Sequence, residues 1–557
     1  MNALWWLAVP LAPTLGLLLL LIGRDRVVPW LWLACLPALL LATVSNLTPS
    51  ALDLDWLWPG AIWHAEDLLT RGFLGFTALL WGAASIYGIS TQQKHPQRLR
   101  FWVFWLVSLT GNLLLIIAQD GVSFYVGFTL MSLAAYALVV HLGGPGPRQA
   151  GRVYLQLAIA GELMIYAALM LRIHEAGGAL DLASWQTVSS GGITTALLIV
   201  GFGLKAGFWP LHVWLPLAHP AAPAAASAVL SGAMIKAGIL GLWRFLPEGD
   251  ALLQTAADGL IVVGLFSAFY GVVLGLMQTQ AKSALAYSSV SQVGYLLVIL
   301  ALAWRHPEAP ELWATLLVLY AVHHGLAKGS LFMGAGLAKA HTLTPWQWLL
   351  LIIPGLALAG LPFSTGGAVK TLLKDGFYEA GLSQWIPVLV LGGMGTLLLI
   401  TRVMVLIWQH QPDRTAPKAP ATLTWSWALI SLMPLVVPWV WPAMNEAWRN
   451  SMTLSANWAL LWPLVVSGAL AALVWQRGWS VPQAWWQRLN AKSSPARGLS
   501  LLAKMMIQRP ALRDRYAIAA MPSWRPAERK WNRFWQRETV VLSAWLITLL
   551  LLISLFW

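Results

Sequence analysis

The fold is decided by residues 205–245, which read KAGFWPLHVWLPLAHPAAPAAASAVLSGAMIKAGILGLWRF. The stretch is apolar over a membrane-spanning length, yet Lys205 and Lys236 lie within its apolar runs. Glycines flank Lys205, and Pro210 and Pro216 follow it, which predicts a helix interrupted beside that lysine. An ionisable group at bilayer depth costs several kcal/mol, so each of these lysines marks a candidate functional site.

The composition of the whole chain indicates a membrane protein. Of 557 residues, 58% are hydrophobic and only 10% are charged, whereas soluble proteins carry about 25% charged residues. The single cysteine, Cys35, excludes a disulfide framework, a thiolate metal site and an iron–sulfur cluster. The sequence also lacks a phosphate loop and a dinucleotide fingerprint, so we expect neither a metal nor a cofactor.

Apolar runs of spanning length recur along the chain, and backbone groups in lipid must be paired within the segment, which favours helices over alternating barrel strands. The N-terminus lacks a basic leader region and is therefore interpreted as a retained span. We predict an all-α polytopic membrane protein with about sixteen transmembrane helices, near residues 3–23, 27–45, 71–91, 101–118, 122–142, 151–172, 192–212, 223–246, 253–278, 283–304, 311–338, 346–373, 384–408, 423–444, 457–475 and 538–556.

Charged residues alternate between the two sides of these spans. The basic residues lie mainly in one set of loops, namely Arg24, Arg26, Lys94, Arg98, Arg100, Arg148, Arg152, Arg414 and Lys418. The positive-inside rule predicts that these loops are cytoplasmic, which places both termini outside. The net charge of +14 is therefore explained by basic loops on one side of the membrane. For this reason we expect no binding of nucleic acid.

One long stretch between spans, residues 476–537, is basic and rich in tryptophan. Its residues from 477 onward hold thirteen Lys or Arg against two acids. Such a composition suits a segment lying on the anionic cytoplasmic leaflet. A plain cytoplasmic loop, or a brace for a neighbouring subunit, fits the sequence as well.

Ionisable residues within the spans form the candidate site. Lys205, Lys236, Lys328 and Lys370 lie in apolar runs, and Glu162 is the one acid deep within a span. His324 and Lys328 are four residues apart, so they share a helix face. Lysines and histidines bridged by water can gain and release protons in turn, which predicts a proton pathway.

The alternative for an intramembrane lysine is that its amine reaches the headgroups from a span end. We expect this of Lys282 and Lys374, but Lys236 and Lys328 have long apolar runs on both sides. For Glu162, a salt bridge that only locks two helices is as good an interpretation as a pathway role.

Four motifs carry a resemblance to a known family. Besides residues 205–245, they are LAYSSVSQVGY (residues 285–295), HHGLAKGSLFMGAG (323–336) and, more loosely, GLPFSTGGAVK (360–370). Together they resemble the antiporter-like subunits of respiratory complex I, of Mrp cation/proton antiporters and of membrane-bound hydrogenases. The variants HPAAP and SGAMIKAG look most like hydrogenase-4 component B.

This resemblance covers about residues 120–405 and implies a fourteen-helix core with two inverted five-helix repeats and broken helices 7 and 12. It implies that Lys205 is the lysine of broken helix 7, Lys236 that of helix 8, Lys328 the central lysine and Lys370 the terminal residue of helix 12. His212, His219 and His324 match polar positions more weakly. The implied divisions are 1–100, 101–246 (first repeat), 253–408 (second repeat), 423–475, 476–537 and the last span in 538–557.

The chain departs from the family pattern at two acids. The family places a glutamate on helix 5, but the matching stretch here is GFTLMSLAAY, with Thr129 at that position. Leu217 likewise replaces an aspartate after broken helix 7. Glu162, on the next helix, is our hypothesis for the source of the lost carboxylate.

The function implied is that of a proton-translocating subunit within a larger redox-driven complex of the bacterial inner membrane. Its partners would be other membrane subunits, a peripheral soluble arm and the lipid bilayer, and the chain itself would carry no catalytic chemistry. Three alternatives stay open: a sodium/proton antiporter component, a membrane subunit of an inorganic-carbon uptake complex, and a non-conducting scaffold motivated by Thr129.

Overall fold

A computed structural model describes residues 3–44, 50–412 and 417–476. Over this part the chain is helical apart from one short hairpin. The helices are α1 (Ala8–Gly23), α2 (Leu36–Thr43), α3 (Leu68–Gln92), α4 (Arg98–Ile117), α5 (Gly121–Val139), α6 (Pro145–Glu175), α7 (Leu182–Gln186), α8 (Gly192–Ala206), α9 (Leu215–Ala221), α10 (Ala224–Val229), α11 (Lys236–Phe245), α12 (Ala251–Leu276), α13 (Ala281–Arg305), α14 (Pro310–Ala340), α15 (Pro345–Ala359), α16 (Thr365–Glu379), α17 (Ile386–Gln409), α18 (Ala421–Val440), α19 (Pro442–Asn450) and α20 (Leu454–Gln476).

Several turns depart from α-helical geometry. The 3₁₀ segments are Ala3–Leu7, Arg24–Arg26, Val28–Cys35 and Ser383–Trp385, and a π-helical turn, Leu230–Met234, joins α10 to α11. The strands β1 (Leu52–Asp53) and β2 (Ile62–Trp63) form an antiparallel hairpin. Asp120 fixes this hairpin to the start of α5, because its carboxylate accepts from Ile62 N and Ser123 N at 3.2 and 2.7 Å.

Twelve helices in the described ranges are long and apolar enough to cross a membrane. Three shorter apolar helices, Val28–Thr43, Gly192–Ala206 and Pro345–Ala359, accompany them. Each of these fifteen segments overlaps one of the first fifteen predicted spans, but the predicted span 346–373 is divided between α15 and α16. The predicted last span, and the basic segment from residue 477 onward, lie outside the described residues.

The helices that carry the central lysines are enclosed by other helices. The apolar windows of α13, α14 and the stretch Ala224–Phe245 are 100% buried, whereas that of Leu454–Leu473 is only 17% buried. Lys236 and Lys328, on the enclosed helices, are therefore shielded from lipid on every side. This arrangement excludes a path from their amines along the protein surface to the headgroups.

Paired glycines bring the central helices into backbone contact. A Cβ at Gly232, in the π turn, would lie 2.8 Å from Gly325 O, and a Cβ at Gly325 would lie 2.7 Å from Gly232 O. Only glycine permits this approach, a common device where membrane helices pack closely. The contact draws the helices of Lys236 and Lys328 together.

The interruption expected beside Lys205 is present, because α8 ends at Ala206 and Gly207 adopts a left-handed conformation with φ 79°. A second interruption follows α15, where Gly360 has φ 104°. After it, the Ser364 hydroxyl accepts from Gly366 N at 3.1 Å and so begins α16. Both breaks leave backbone carbonyls that side chains can reach.

Candidate functional site

Lys205 occupies the last turn of α8 and is 6% exposed. Its ammonium donates to Ser132 Oγ of α5 at 3.3 Å and to Tyr154 OH of α6 at 3.2 Å. The Nζ atom also lies 5.9 Å and 5.6 Å from the ring centres of Phe128 and Tyr154. Neutral hydroxyls and aromatic faces therefore surround this charge.

Glu162 lies on α6 and lines the same small cavity as Lys205. The carboxylate is 5% exposed, and the Thr129 side chain lies next to it. Neither Glu162 Oε1 nor Thr129 Oγ1 has a hydrogen-bond partner. Among the described residues, the ion pairs within 4.0 Å join other groups, so Glu162 faces Lys205 across the cavity without touching it.

Lys236 and Lys328 form the centre of the molecule, and both are 0% exposed. The Lys236 ammonium donates to Ser231 O at 2.6 Å, a carbonyl in the π turn. The Lys328 ammonium donates to Leu285 O of α13 at 2.7 Å. The two amines lie close enough to interact electrostatically. Each is thus held by one neutral backbone oxygen, with no carboxylate in salt-bridge contact among the described residues.

Three of the nearby histidines present polar atoms without partners. His219 and His324 are each 0% exposed, and both ring nitrogens of each lack a hydrogen-bond partner. His323 Nδ1 pairs with Thr365 Oγ1 at 2.9 Å, but its Nε2 is unpaired. Buried polar atoms left unpaired cost about 1–3 kcal/mol each. Such positions in proteins are the usual binding sites of internal water.

Lys370 and His212 are two further predicted site residues. Lys370 is half-buried on α16, and its ammonium reaches back across the break to Ala359 O at 2.8 Å. His323 is close enough to interact electrostatically with both Lys370 and Lys236. His212 is 5% exposed, and its ring lies 5.0 Å from that of Tyr270.

The expectation that Lys282 reaches the headgroups is wrong. Its ammonium turns inward and donates to Ala222 O at 2.6 Å and to Ser227 Oγ at 3.1 Å. Ser289, seven residues on, lies on the same face of α13 and bonds Ser231 at 2.7 Å, so the face that carries Lys282 is turned inward. Lys374 is half-buried and only approaches Ala459 O at 3.5 Å.

The fold and the site define a polytopic membrane protein whose enclosed helices carry a row of lysines and histidines. Among the described residues, no group of three or more metal-ligating side chains could hold a metal ion. The family described as "NADH:quinone oxidoreductase/Mrp antiporter, TM" matches residues 118–396. The chain belongs to this family, which confirms the resemblance seen in its motifs.

Individual relatives span several kinds of membrane complex. Hydrogenase-4 component B of Escherichia coli (strain K12) is 32% identical over 325 residues, covering 53% of this chain and 48% of the relative. NADH-quinone oxidoreductase subunit N of Pelobacter propionicus is 27% identical over 380 residues, covering 64% of this chain and 80% of the relative. The chain thus spans about half the length of the hydrogenase-4 relative.

Solved structures support the fold. The Mrp complex from Dietzia sp. DQ12-45-1b includes a chain that superposes with a TM-score of 0.68 at 18% identity, over 83% of this chain and 99% of that one. A chain of the membrane-bound sulfane sulfur reductase, an archaeal respiratory membrane complex, gives 0.64 at 21% identity, over 77% of this chain and 75% of that one. At these identities the likeness concerns the fold alone.

Proposed function

We propose that the chain is a proton-translocating, antiporter-like subunit of a larger membrane complex driven by a redox partner. The observation that carries the proposal is the row of buried basic side chains Lys205, Lys236, Lys328 and His323, together with the half-buried Lys370. Each amine in this row is held by neutral oxygens. A proton can therefore leave any of them without breaking a salt bridge.

Electrostatic repulsion couples the protonation of neighbouring amines in this row. Unit charges a few ångströms apart in a protein interior interact by several kcal/mol, so neighbouring ammonium groups repel one another strongly. Lys236 and Lys328 are within mutual electrostatic reach, which disfavours full protonation of both. A proton that arrives at one amine therefore favours release from the other, and water at the unpaired histidine nitrogens can carry it onward.

Glu162 is proposed as the carboxylate that biases the first amine in the row. Thr129 stands where the family has an acid, and a threonine carries no negative charge. Glu162 lines the Lys205 cavity and has an unpaired oxygen directed into buried space. Its charge would stabilise the protonated amine of Lys205 from the neighbouring helix α6.

The architecture proposed is a fourteen-helix core with two inverted five-helix repeats over 101–246 and 253–408, flanked by 1–100, 423–475, 476–537 and the last span. Matching glycine contacts support it. A Cβ at Gly127 of α5 would lie 2.8 Å from Gly111 O of α4, and a Cβ at Gly264 of α12 would lie 2.7 Å from Gly294 O of α13. The first two helices of each proposed repeat thus pack alike. The basic loops are proposed to be cytoplasmic, with both termini outside.

The test is proton flux in proteoliposomes that hold the full-length chain with its copurified membrane subunits. Lys205→Ala and Lys236→Ala are expected to lower flux at least about tenfold, the effect of losing one proton-transfer group. Lys94→Ala, an exposed lysine, serves as the control and is expected to leave flux unchanged. Flux that needs sodium would favour an antiporter component instead.

A second candidate, a non-conducting scaffold, is favoured by Thr129 at the usual acid position. It predicts no flux in the wild-type complex above that of empty liposomes. It also predicts that Lys236→Ala affects only the yield of assembled complex.

A further inference from the structure

Lys282 begins α13 on the side of the basic loops, where α3 ends and α4 begins. Its ammonium bonds Ala222 O at 2.6 Å and Ser227 Oγ at 3.1 Å. Ala222 lies in the short turn between α9 and α10, one short helix after the interruption beside Lys205. The amine is thus bound to the turn after α9 and not directed at the headgroups.

The group next to Lys282 is His219. Ser227 Oγ donates to His219 O at 2.9 Å, which joins the lysine to the histidine's backbone. The His219 ring stacks on Phe332 at 4.5 Å, and both its nitrogens lack partners. Because one of these buried nitrogens donates and the other accepts, water, which can do both, is a suitable partner.

The charged and polar groups around Lys282 range from exposed to fully buried. Lys339, near the end of α14, is exposed and lies within electrostatic reach of Lys282. His219 is in turn within electrostatic reach of Lys282, Lys328 and Lys236. A proton entering from the surface would meet these groups in order of increasing burial. It would pass from the exposed Lys339 to the half-buried Lys282, then to the buried His219 and the central lysines.

We propose that Lys282 is the proton-loading residue at the mouth on the basic-loop side and passes protons to the central lysines by way of His219. This rests on the proposed function and adds the route of uptake. In one step the Lys282 ammonium gives one proton to water or to a His219 nitrogen and becomes a neutral amine. It then takes one proton from bulk water on the basic-loop side, so charge and atoms balance.

A purely structural role is the alternative, because the same hydrogen bonds clamp the turn after α9. The two roles differ in what they require of the side chain. A clamp needs a donor with a positive charge, whether or not it can lose its proton. A loading residue needs an amine that can titrate, so a permanently charged group of similar size cannot replace it.

The experiment uses the double variant Cys35→Ser, Lys282→Cys, in which the chain's own cysteine is removed. Treatment with 2-aminoethyl methanethiosulfonate attaches a titratable amine of nearly lysine length to the newly introduced thiol, and the trimethylammonium analogue attaches a fixed charge. Proton flux is measured in the assembled complex before and after each reagent. Cys35→Ser alone is the matched control, with the same reagents.

The proposal predicts flux at least about tenfold below wild type in the double variant, restored several-fold by the aminoethyl group but not by the trimethylammonium group. Equal restoration by both reagents, or no loss in the double variant, would overturn it. The trimethylammonium group carries a charge but no N–H donor, so its failure to restore flux fits a clamp as well. Lys282→Arg therefore separates the two roles, because arginine keeps the donors and the charge but does not titrate. The proposal predicts an assembled complex with flux lost, whereas a clamp predicts flux retained.

These outcomes are distinct from failure of the proposed function. If wild-type flux is absent, the translocating role itself fails. If wild-type flux is present and Lys236→Ala abolishes it while Lys282→Arg conducts normally, only the uptake route fails.

Discussion

Replacing Arg244 should destabilise the protein strongly, because this buried arginine caps the C-terminus of α4. Arg244, in the last turn of α11, is 5% exposed. It donates to Leu115 O at 3.0 Å, Ile116 O at 2.7 Å and Ala118 O at 2.9 Å, and to Thr70 Oγ1 at 2.8 Å. The last carbonyls of α4 have no partners within their own helix, so Arg244 supplies them.

The magnitude follows from the groups left behind. Arg244→Met would leave three buried carbonyls and one hydroxyl without this donor, and each unpaired buried group costs about 1–3 kcal/mol. Some of them would find water or other partners, so the total should be about 3–5 kcal/mol, well below four times the upper value. We therefore expect the free energy of unfolding to fall by about 3–5 kcal/mol.

The assay is reversible unfolding of the purified chain in mixed micelles, followed by tryptophan fluorescence at increasing SDS. Arg305→Met is the matched control, because Arg305 pairs with Asp258 at the surface, with side chains 31% and 72% exposed. That change should cost less than about 1 kcal/mol. A loss for Arg244→Met no larger than that of the control would refute the reasoning.

Three further predictions concern the pathway, the helix contact and pH. Glu162→Gln should lower proton flux about tenfold, and adding Thr129→Glu should restore it; normal flux in Glu162→Gln alone would remove Glu162 from the pathway. Gly325→Val should cost about 1–3 kcal/mol of stability and lower flux, since its Cβ would meet Gly232 O at 2.7 Å; Gly259→Val, where nothing lies within 4 Å, is the control in both assays. Burial lowers the pKa of His64 below 6.5, outweighing Glu66 and Asp67, so stability should fall as pH drops below about 6.5 because the unfolded chain then binds more protons. His64→Gln should flatten that decline in SDS unfolding at several pH values, and an unchanged slope would contradict the assignment.

The membrane spans were predictable because their signal is local. A run of about 20 apolar residues must form a helix in lipid, and each predicted span within the described chain overlaps a helix. The breaks beside Lys205 and after α15 were predictable for the same reason, since Gly207, Gly360 and nearby prolines act on their own backbone. Burial of Lys236 and Lys328 followed from the apolar runs on both sides.

Contacts between distant helices could not be predicted in the same way. Lys282 lies near the end of its helix, and span position alone indicated the headgroups. Its actual partners, Ala222 and Ser227, are 60 and 55 residues away. The four acceptors of Arg244 lie 126 to 174 residues away, so no periodicity in the sequence points to them.

The position of the carboxylate near Lys205 was predictable only in part. The motif around Thr129 indicates that an acid is missing, and Glu162 is the nearest acid within a span. That Glu162 lines the Lys205 cavity depends on how α6 packs on α8. A Cβ at Gly161 would lie 3.2 Å from Gly201 O, so this packing is set by a glycine next to the acid, which the sequence alone does not reveal.

The most direct test of a wet, basic interior is an experimental density map of the complex at a resolution that reveals ordered water. We predict water within hydrogen-bond distance of at least one ring nitrogen of both His219 and His324, connected to the amines of Lys236 and Lys328. Dry apolar packing around those nitrogens, or lysine amines turned to the headgroups, would contradict the proposal of a hydrated proton pathway.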